Sequence, residues 1–450
     1  MTADETITTL APRIASGELR SERLTEDALA TIATLQPSLN AFITITADAA
    51  LADARRADQE IAAGQYRGPL HGIPISLKDL IDVAGVPTTA GSKVRDGRLA
   101  LTDAPIVRHL QRAGAVLVGK TNLHEFAFGT TSEDSGWGPA RHPIDPSRSP
   151  GGSSGGSAIA VATGMSIASV GTDTGGSIRI PAAACGIVGL KPGWGEISAE
   201  GVVPLSRQLD HVGPLTRSVD DAELMYHVLR GETPADLHDN RESLFRFKLA
   251  ALDGYFMDRL SPDVEAAFQA ALELLRDGGV KLSSASLAHA ADIAPVYLHL
   301  VLADAAAYHA TTLAERPHAY TPNVRIRLEM GRHVLAEDYV RALRGREVIR
   351  NEVDRALASV DALILPSLSI EAPPIGAVSV PVKGGEELVR SAMLRLTQPF
   401  NLSGHPAISV PCGTTAAGLP VGLQIVGKTG RTVDLLRVAR AIERTLTRRG

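Results

Sequence analysis

Two segments rich in serine and glycine hold the side chains of this sequence that are best suited to chemistry. Residues 151–157 read Gly-Gly-Ser-Ser-Gly-Gly-Ser, and residues 171–177 read Gly-Thr-Asp-Thr-Gly-Gly-Ser. The second segment follows the apolar stretch 167–170, which predicts a strand directly before it. Because paired glycines allow a tight turn, several backbone N–H groups there can point at one spot. Those groups would meet the oxyanion that forms when a serine attacks a carbonyl carbon.

We therefore predict that Ser177, the last residue of the second segment, is the nucleophile of an acyl-transfer reaction. The oxyanion donors would be the backbone N–H groups of Thr174, Gly175 and Gly176. Removing one such donor typically costs about 3 to 4 kcal/mol of transition-state stabilisation. The rate of acyl transfer should therefore depend on the conformation of this turn as well as on the Ser177 hydroxyl group.

A serine hydroxyl is a weak nucleophile and needs a base within hydrogen-bond reach. Lys78 is the candidate base, because it closes the apolar run 73–77 and can lose its solvation there. To act near neutral pH, the pKa of this lysine must fall by roughly 3 pH units from about 10.4. The alternative is an ordinary strand-end lysine that pairs with Asp79 or Asp82. Scattered histidines without a companion pattern are weaker candidates: His71, His109, His124, His142, His211 and His405.

Residues 151–157 allow other interpretations. They match the serine-hydrolase pattern G-x-S-x-G twice, centred on Ser153 and on Ser154. That motif needs a strand directly before the serine, but residues 143–150 hold three prolines, which cannot donate to a sheet ladder. A flexible linker is another alternative, as is a phosphate-binding loop at 171–177, although the lysine of that motif is absent. We favour a glycine-rich turn at a helix N-terminus, which points N–H groups into a cavity.

The chain has two cysteines, Cys185 and Cys412, which are far apart and lack a CxxC partner or a nearby histidine pair. Neither a disulfide framework nor a zinc site is indicated, and we predict buried structural thiols and no metal site. Cys185 as an alternative nucleophile would need an activating cation beside it, and none is present in the sequence around it.

Helical and extended patterns alternate around these segments. Apolar residues recur at helical spacing from Leu24 onward. Asp103 and Pro105 predict the cap and the first turn of a later helix, and Ser261 predicts the cap of another. Asp173 and Arg179 flank the Ser177 turn and predict a structural clamp. Strands are predicted at 42–45, 115–118, 167–170, 247–252, 280–282, 362–365, 407–410 and 421–426. This alternation predicts a single α/β domain with helices on both faces of a sheet.

Composition limits the classes of partner. The 450 residues carry a formal net charge of −5, so neither polyanions nor anionic membranes are obvious partners. The acidic start, residues 1–7, does not read as a secretory signal, and no uninterrupted apolar run approaches the roughly 18 residues of a membrane span. We expect a soluble cytoplasmic protein.

The two segments also resemble a known family. Residues 151–156 and 175–179, with Pro181 and Cys185, are similar to the signature of the amidase signature family, and Lys78 matches its other marker. Ser177 follows Ser153 by 24 positions, as the nucleophile follows the bridging serine in that family. The similarity covers most of the chain through further segments: 119–122, 209–214, 406–411 and 418–424.

The resemblance implies a Ser–cis-Ser–Lys triad in which Ser177 forms the acyl-enzyme, Ser153 is the bridging serine after a cis bond, and Lys78 is the general base. It implies no metal and no organic cofactor. The implied fold is one α/β domain over residues 1–450, with a mixed, twisted sheet covered by helices on both faces. Its parts are an N-terminal helical segment at about 1–66, a signature core at about 67–215 and a variable substrate-pocket region at about 285–400.

Two functions follow from this resemblance. We predict a stand-alone amidase that hydrolyses a carboxylic amide to an acid and an amine or ammonia. The alternative is the glutaminase subunit of a tRNA-dependent amidotransferase. The variable region looks more like stand-alone amidases, because the Arg-Tyr/Phe-Asp-Gly pattern usual in the tRNA-dependent enzyme is absent. We accordingly expect a small-molecule amide substrate, no nucleic-acid or membrane partner and, if the chain self-associates, a homodimer.

Overall fold

A computed structural model describes residues 5–233 and 242–447 and builds them around one large sheet. The first four residues of the acidic start lie outside the described residues. In the described part of the chain the strands are β1 Phe42–Ile45, β2 Pro74–Lys78, β3 Val116–Thr121, β4 Ala168–Asp173, β5 Val188–Lys191, β6 His211–Thr216, β7 Lys248–Leu252, β8 Lys281–Ala285, β9 Ala362–Pro366, β10 Ser379–Val382, β11 Gly385–Leu388, β12 Ala407–Thr414 and β13 Pro420–Val426.

Helices connect most of these strands. Over the same described ranges they are α1 Ile7–Ala15, α2 Ser21–Leu39, α3 Ala47–Ala62, α4 Pro105–Arg112, α5 Gly155–Ala162, α6 Arg179–Cys185, α7 Val219–Leu229, α8 Pro262–Asp277, α9 Ile293–Glu315, α10 Pro322–Gly331, α11 Ala336–Leu357, α12 Val389–Leu394, α13 Gln398–Leu402 and α14 Thr432–Thr447. The predicted strands and the helix after Ser261 are present, and the Ser261 side chain caps α8 by accepting from the Val264 N–H.

Eleven strands form the sheet in the order β1-β3-β2-β4-β6-β5-β12-β13-β9-β7-β8, and β10 and β11 form a separate hairpin. The β2–β3, β2–β4, β7–β8 and β7–β9 pairs are parallel, and the other pairs are antiparallel. The first six strands occupy one half of the sheet and the later strands the other, so the halves meet where β5 pairs with β12. The predicted mixed sheet in a single α/β domain is confirmed.

Two hydrophobic cores lie on opposite faces of this sheet. In β9, Leu363 and Leu365 point into one core while Ala362 and Ile364 point into the other. This alternation follows from the two-residue repeat of a strand, and it requires apolar cover on both faces. Helix α9 packs in the first core and α14 in the second. Helices on both faces were predicted, and they are present.

Some local predictions differ from the structure. Asp103 does not cap α4, whose cap position is Ala104; the Asp103 carboxylate instead accepts from the Ala84 N–H at 2.8 Å. Strand β6 was not predicted, because Gly213 and Pro214 interrupt its pattern. Pro214 lies opposite Val170 of β4, whereas on its other side β5 pairs with β6 only at Leu215 and Thr216.

One helix among the described residues, Ala290–Glu315, is long and apolar enough by length and composition to cross a membrane. In the fold it includes α9, which packs against α10, α11 and α13. Its buried residues, among them Leu300 and Val301, belong to the first core. Packing in the first core therefore accounts for part of the apolar character of this segment, of which 44% is buried.

Candidate active site

Lys78 ends β2 with a fully buried side chain, as the apolar run before it predicts. Its Nζ donates to the Ser153 hydroxyl at 2.7 Å and to the Thr172 hydroxyl at 2.8 Å. Burial lowers the pKa of Lys78 to about 7, and the negative charges of Asp173 and Asp210 oppose that change. A large fraction of this amine is therefore neutral at physiological pH and able to accept a proton.

The alternative pairing of Lys78 with a neighbouring carboxylate is absent from the structure. Asp79 points the other way and pairs with Lys120 at 2.9 Å, where both side chains are buried. Asp79, which directly follows the last residue of β2, is thus engaged by Lys120 and does not pair with Lys78. Both partners of Lys78 are hydroxyl groups.

Ser153 lies in the glycine-rich turn that leads into α5, and the peptide bond between Gly152 and Ser153 is cis. The Ser153 side chain is fully buried, and its carbonyl accepts from the His124 N–H at 3.1 Å. A side chain at position 152 would come within 2.8 Å of the Ser132 backbone nitrogen, so glycine is required there. No strand lies directly before Ser153, and this excludes the strand-to-serine turn that the G-x-S-x-G motif requires.

Ser177 lies in the turn between β4 and α6, where its side chain is 6% exposed, whereas Lys78 and Ser153 are fully buried. The Ser177 carbonyl accepts from the Ser154 N–H at 3.2 Å, which joins the two glycine-rich turns. Within the described residues the Ser177 hydroxyl forms no hydrogen bond. It is therefore free to approach both Ser153 and a substrate, and such bonds often form only in the complex.

Asp173 and Arg179 clamp the Ser177 turn. Their side chains are fully buried and pair at 2.9 Å, and the Asp173 carboxylate also accepts from the Ile178 N–H at 3.1 Å. Burial alone would raise the pKa of Asp173, but the Arg179 guanidinium outweighs this and holds the pKa well below its usual range. Arg179 also reaches α13 and β13 through Asn401 and Gln424. The predicted clamp is present and anchors the turn to the far half of the sheet.

The predicted oxyanion donors lie within this clamped turn. Among the described residues, nothing accepts from the N–H groups of Gly175, Gly176 or Ser177. Gly176 has φ +141°, and a Cβ there would overlap the Thr397 hydroxyl. The Thr174 side chain instead donates to Asp210 at 2.6 Å. The turn thus offers free backbone donors beside the Ser177 hydroxyl.

Four side chains of this site were missed by sequence reasoning. The Thr172 hydroxyl accepts a hydrogen bond from Lys78, as the Ser153 hydroxyl does. Burial raises the pKa of Asp210 to about 6, and its negative charge favours the protonated form of Lys78. Tyr297 from α9 and Thr397 before α13 contact the glycines of the turn. No local pattern could identify the last two, because more than a hundred positions separate each of them from the turn.

The other side chains considered from the sequence do not form a second reactive site. Cys185 is buried at the end of α6, and burial strongly raises the pKa of its thiol. Burial lowers the pKa of His124 to about 4, and its side chain faces Asp134 at 3.2 Å. No group of three or more possible metal ligands occurs among residues 5–233 and 242–447.

Comparison with known proteins shows that most of this chain matches one protein family. The family model described as Amidase matches residues 23–436. A solved structure described as an amidase has 40% sequence identity and a TM-score of 0.92, over 98% of this chain and 100% of that one.

Other similar proteins have a more specific description. A glutamyl-tRNA(Gln) amidotransferase subunit of Chloroflexus aurantiacus is 39% identical over 98% of this chain and 96% of its own length. The solved structure of the subunit with the same name from Thermotoga maritima is 32% identical, with a TM-score of 0.81, over 98% of this chain and 95% of that one.

These names contradict one expectation from the sequence. We expected a chain that acts on a small amide without nucleic acid and with no partner beyond a second copy. The relatives are named as one subunit of an enzyme that acts on a tRNA. The expectation about partners is therefore wrong. The missing Arg-Tyr/Phe-Asp-Gly pattern samples only four residues, whereas the similarity to these relatives spans nearly the whole chain.

Proposed function

Because this chain belongs to the amidase signature family and is an amide hydrolase, we propose that it is the glutaminase subunit of a tRNA-dependent amidotransferase in the cytoplasm. The observation that carries this proposal is the similarity, over 98% of the chain, to a glutamyl-tRNA(Gln) amidotransferase subunit. The buried Lys78–Ser153 contact of 2.7 Å supports the hydrolytic part of it.

We assign the chemical roles from the resemblance to the amidase signature family, and the contact between Lys78 and Ser153 supports them. Neutral Lys78 takes the proton of Ser153 while Ser153 takes that of Ser177, so the two serines act as one nucleophile system. Ser177 then attacks the amide carbonyl, and the N–H groups of Gly175 and Gly176, with that of Thr174, hold the oxyanion. The proton returns through Ser153 to the leaving nitrogen, ammonia departs, and the acyl-Ser177 ester is hydrolysed by the reverse relay.

The clamp and the buried lysine each serve this relay. Asp173 and Arg179 keep the turn rigid, so the donors are in place before charge develops. Burial keeps Lys78 largely neutral, whereas a lysine with its ordinary pKa would hold its proton near neutral pH.

The test is ammonia release from glutamine by the purified chain alone and after addition of the partner subunits with glutamyl-tRNA(Gln). We expect little release by the chain alone and a large increase in the assembled mixture, with glutaminyl-tRNA as a product. Ser177→Ala should assemble equally well and release no ammonia. Ser38→Ala is the matched control, because Ser38 is exposed on α2, and it should remain active.

A specific observation favours a second function, the stand-alone amidase, since the chain is 40% identical to a solved amidase. Fast turnover of small neutral amides by the chain alone, with no glutaminyl-tRNA formed in the mixture, would decide for that function and against the amidotransferase.

A further inference from the structure

Asp210 lies beside the Ser177 turn, and its carboxylate is bound by neutral donors. It ends the loop before β6. Its carboxylate accepts from the Thr174 hydroxyl at 2.6 Å and from the backbone N–H groups of Leu205 at 3.0 Å and Ser206 at 3.2 Å. Within the described residues it forms no ion pair. The charge of such a carboxylate acts on its surroundings over several ångströms, because the protein interior screens it less than water does.

The same carboxylate holds one end of the oxyanion turn. Thr174, which contributes one of the predicted N–H donors, is buried, and its hydroxyl is fixed by Asp210. The next residue, Gly175, is held through its carbonyl by the Thr397 hydroxyl at 2.6 Å. Side chains from two distant parts of the chain thus orient successive peptide groups of the turn. Loss of the Asp210 contact would leave the Thr174 peptide free to rotate.

Asp210 also lies near the base of the relay. A cavity of about 10 Å³ has Thr172, Thr174 and Asp210 in its wall. The Thr172 hydroxyl accepts from the Lys78 Nζ at 2.8 Å, so Asp210 and a direct partner of Lys78 face one small space. The negative charge of Asp210 favours protonated Lys78, and the Lys78 charge in turn favours ionised Asp210. Asp173 acts on Lys78 in the same direction, but it already has a bonded cation.

The other titratable groups around Asp210 come from β6 and α9. Burial lowers the pKa of His211, the next residue, well below its usual value, so this imidazole is neutral. Burial strongly raises the pKa of Tyr297 on α9, so its phenol keeps its proton. The Asp304 carboxylate, also on α9, accepts from a serine hydroxyl of the loop that carries Asp210. The charge that responds to Asp210 near neutral pH is therefore that of Lys78.

We propose that Asp210 is a positioning residue of the relay, which orients the Thr174 peptide toward the oxyanion and stabilises the protonated Lys78 that forms during attack. The proton of Ser177 passes to Ser153 and that of Ser153 to Lys78, while Asp210 gains none. A carboxylate near the base, but not bonded to it, favours this charged state without holding a proton on the base beforehand. The inference rests on the proposed relay and is independent of the tRNA-dependent step.

The test is the rate at which a fluorophosphonate labels Ser177 in the full chain, measured against pH by intact mass and peptide mapping. It needs no amide substrate. Asp210→Asn should lower the plateau rate by about 10-fold or more. It should also move the midpoint of the profile to lower pH by about 0.5 pH unit or more, because the charge that favours protonated Lys78 is gone. Thr174→Val keeps that charge, so it should lower the plateau and leave the midpoint in place.

Asp221→Asn is the matched control. Burial raises the pKa of Asp221 to about 6, as it does for Asp210, and the Asp221 carboxylate accepts from the N–H groups of Ile7 at 2.8 Å and Thr8 at 3.1 Å. The control should cost similar stability, checked by thermal unfolding, and keep the wild-type plateau and midpoint.

An unmoved midpoint in folded Asp210→Asn would overturn the inference. If Asp210→Asn does not fold, Thr174→Val decides the matter, since an unchanged plateau in that variant would overturn the positioning role. Absence of Ser177 labelling in the wild-type protein at every pH would instead count against the proposed relay.

Discussion

Lys78 has no carboxylate partner, although it is a fully buried lysine. Its two acceptors are neutral hydroxyls, and the nearest negative charges, on Asp173 and Asp210, only partly offset the loss of solvation. The protonated form is therefore disfavoured in the folded protein. The same residue bonded to a carboxylate would keep its proton and be useless as a base. At the scale of single residues, the absence of an ion pair is what gives this lysine its proposed role.

We predict from this pKa that the hydrolysis rate rises with pH through about 7 and then levels off. Because the folded pKa is lowered, the neutral base predominates above that pH and the protonated, inactive form below it. A pH–rate profile of kcat measures this directly. Lys78→Ala should lower the rate by roughly a thousandfold or more, since members of a catalytic unit act together, with the thermal unfolding curve retained to show folding. A flat or falling profile between pH 6 and 8 would contradict the assignment.

The turn between β4 and α6 connects a rigid strand to a helix while presenting several N–H groups in one direction. Gly176 makes this possible, because φ +141° and the adjacent Thr397 hydroxyl both exclude a side chain. The Thr397 hydroxyl donates to the Gly175 carbonyl at 2.6 Å, which holds the peptide groups of the turn in orientation. The element therefore depends on a glycine and on a contact from a distant part of the chain.

We expect Gly176→Ala to reduce kcat/KM by about 100-fold, because the added Cβ displaces Thr397 or turns the N–H groups away from the oxyanion. Steady-state kinetics and thermal unfolding measure the two effects separately. Gly195→Ala is the matched control, since Gly195 also has a positive φ of 81° but nothing lies within 4 Å of its added Cβ. Equal kinetics for Gly176→Ala and the wild-type protein would refute the oxyanion role of this turn.

The whole molecule divides the site between the two halves of its sheet. Strand β2 carries Lys78 and strand β4 leads to Ser177, and both strands belong to the first half of the sheet. Thr397 and Asn401 precede β12 and belong to the second half. Arg179 spans the boundary, since it binds Asp173 on one side and Asn401 and Gln424 on the other. The geometry of the site is thus coupled to the packing of the complete sheet.

Arg179→Met should lower the free energy of unfolding by about 3 to 5 kcal/mol, because it leaves the buried Asp173 carboxylate without its cation. Denaturant unfolding followed by both circular dichroism and tryptophan fluorescence measures the change. Arg23→Met serves as the control, since Arg23 forms an exposed pair with Asp27 and should change stability by less than about 1 kcal/mol. Similar effects of the two substitutions would show that the clamp does not join the halves.

The sequence by itself determined the class of fold and the positions of the reactive groups. Period-two and helical patterns identify most strands and helices, since burial on one face or both leaves a local record in the residues. The spacing of Ser153 and Ser177 and the apolar run before Lys78 are equally local, and the structure brings Lys78 and Ser153 into contact at 2.7 Å.

Only the tertiary structure decided what surrounds those groups. Tyr297, Leu394 and Thr397 reach the Ser177 turn from elements more than a hundred residues away, and nothing in their own neighbourhoods signals that destination. Ion pairing is likewise undetermined by sequence: Asp79 was as plausible a partner for Lys78 as any, yet in the fold it pairs with Lys120. The physical reason is that pairing and desolvation depend on distances across the fold, whereas a sequence pattern records only which face each residue occupies.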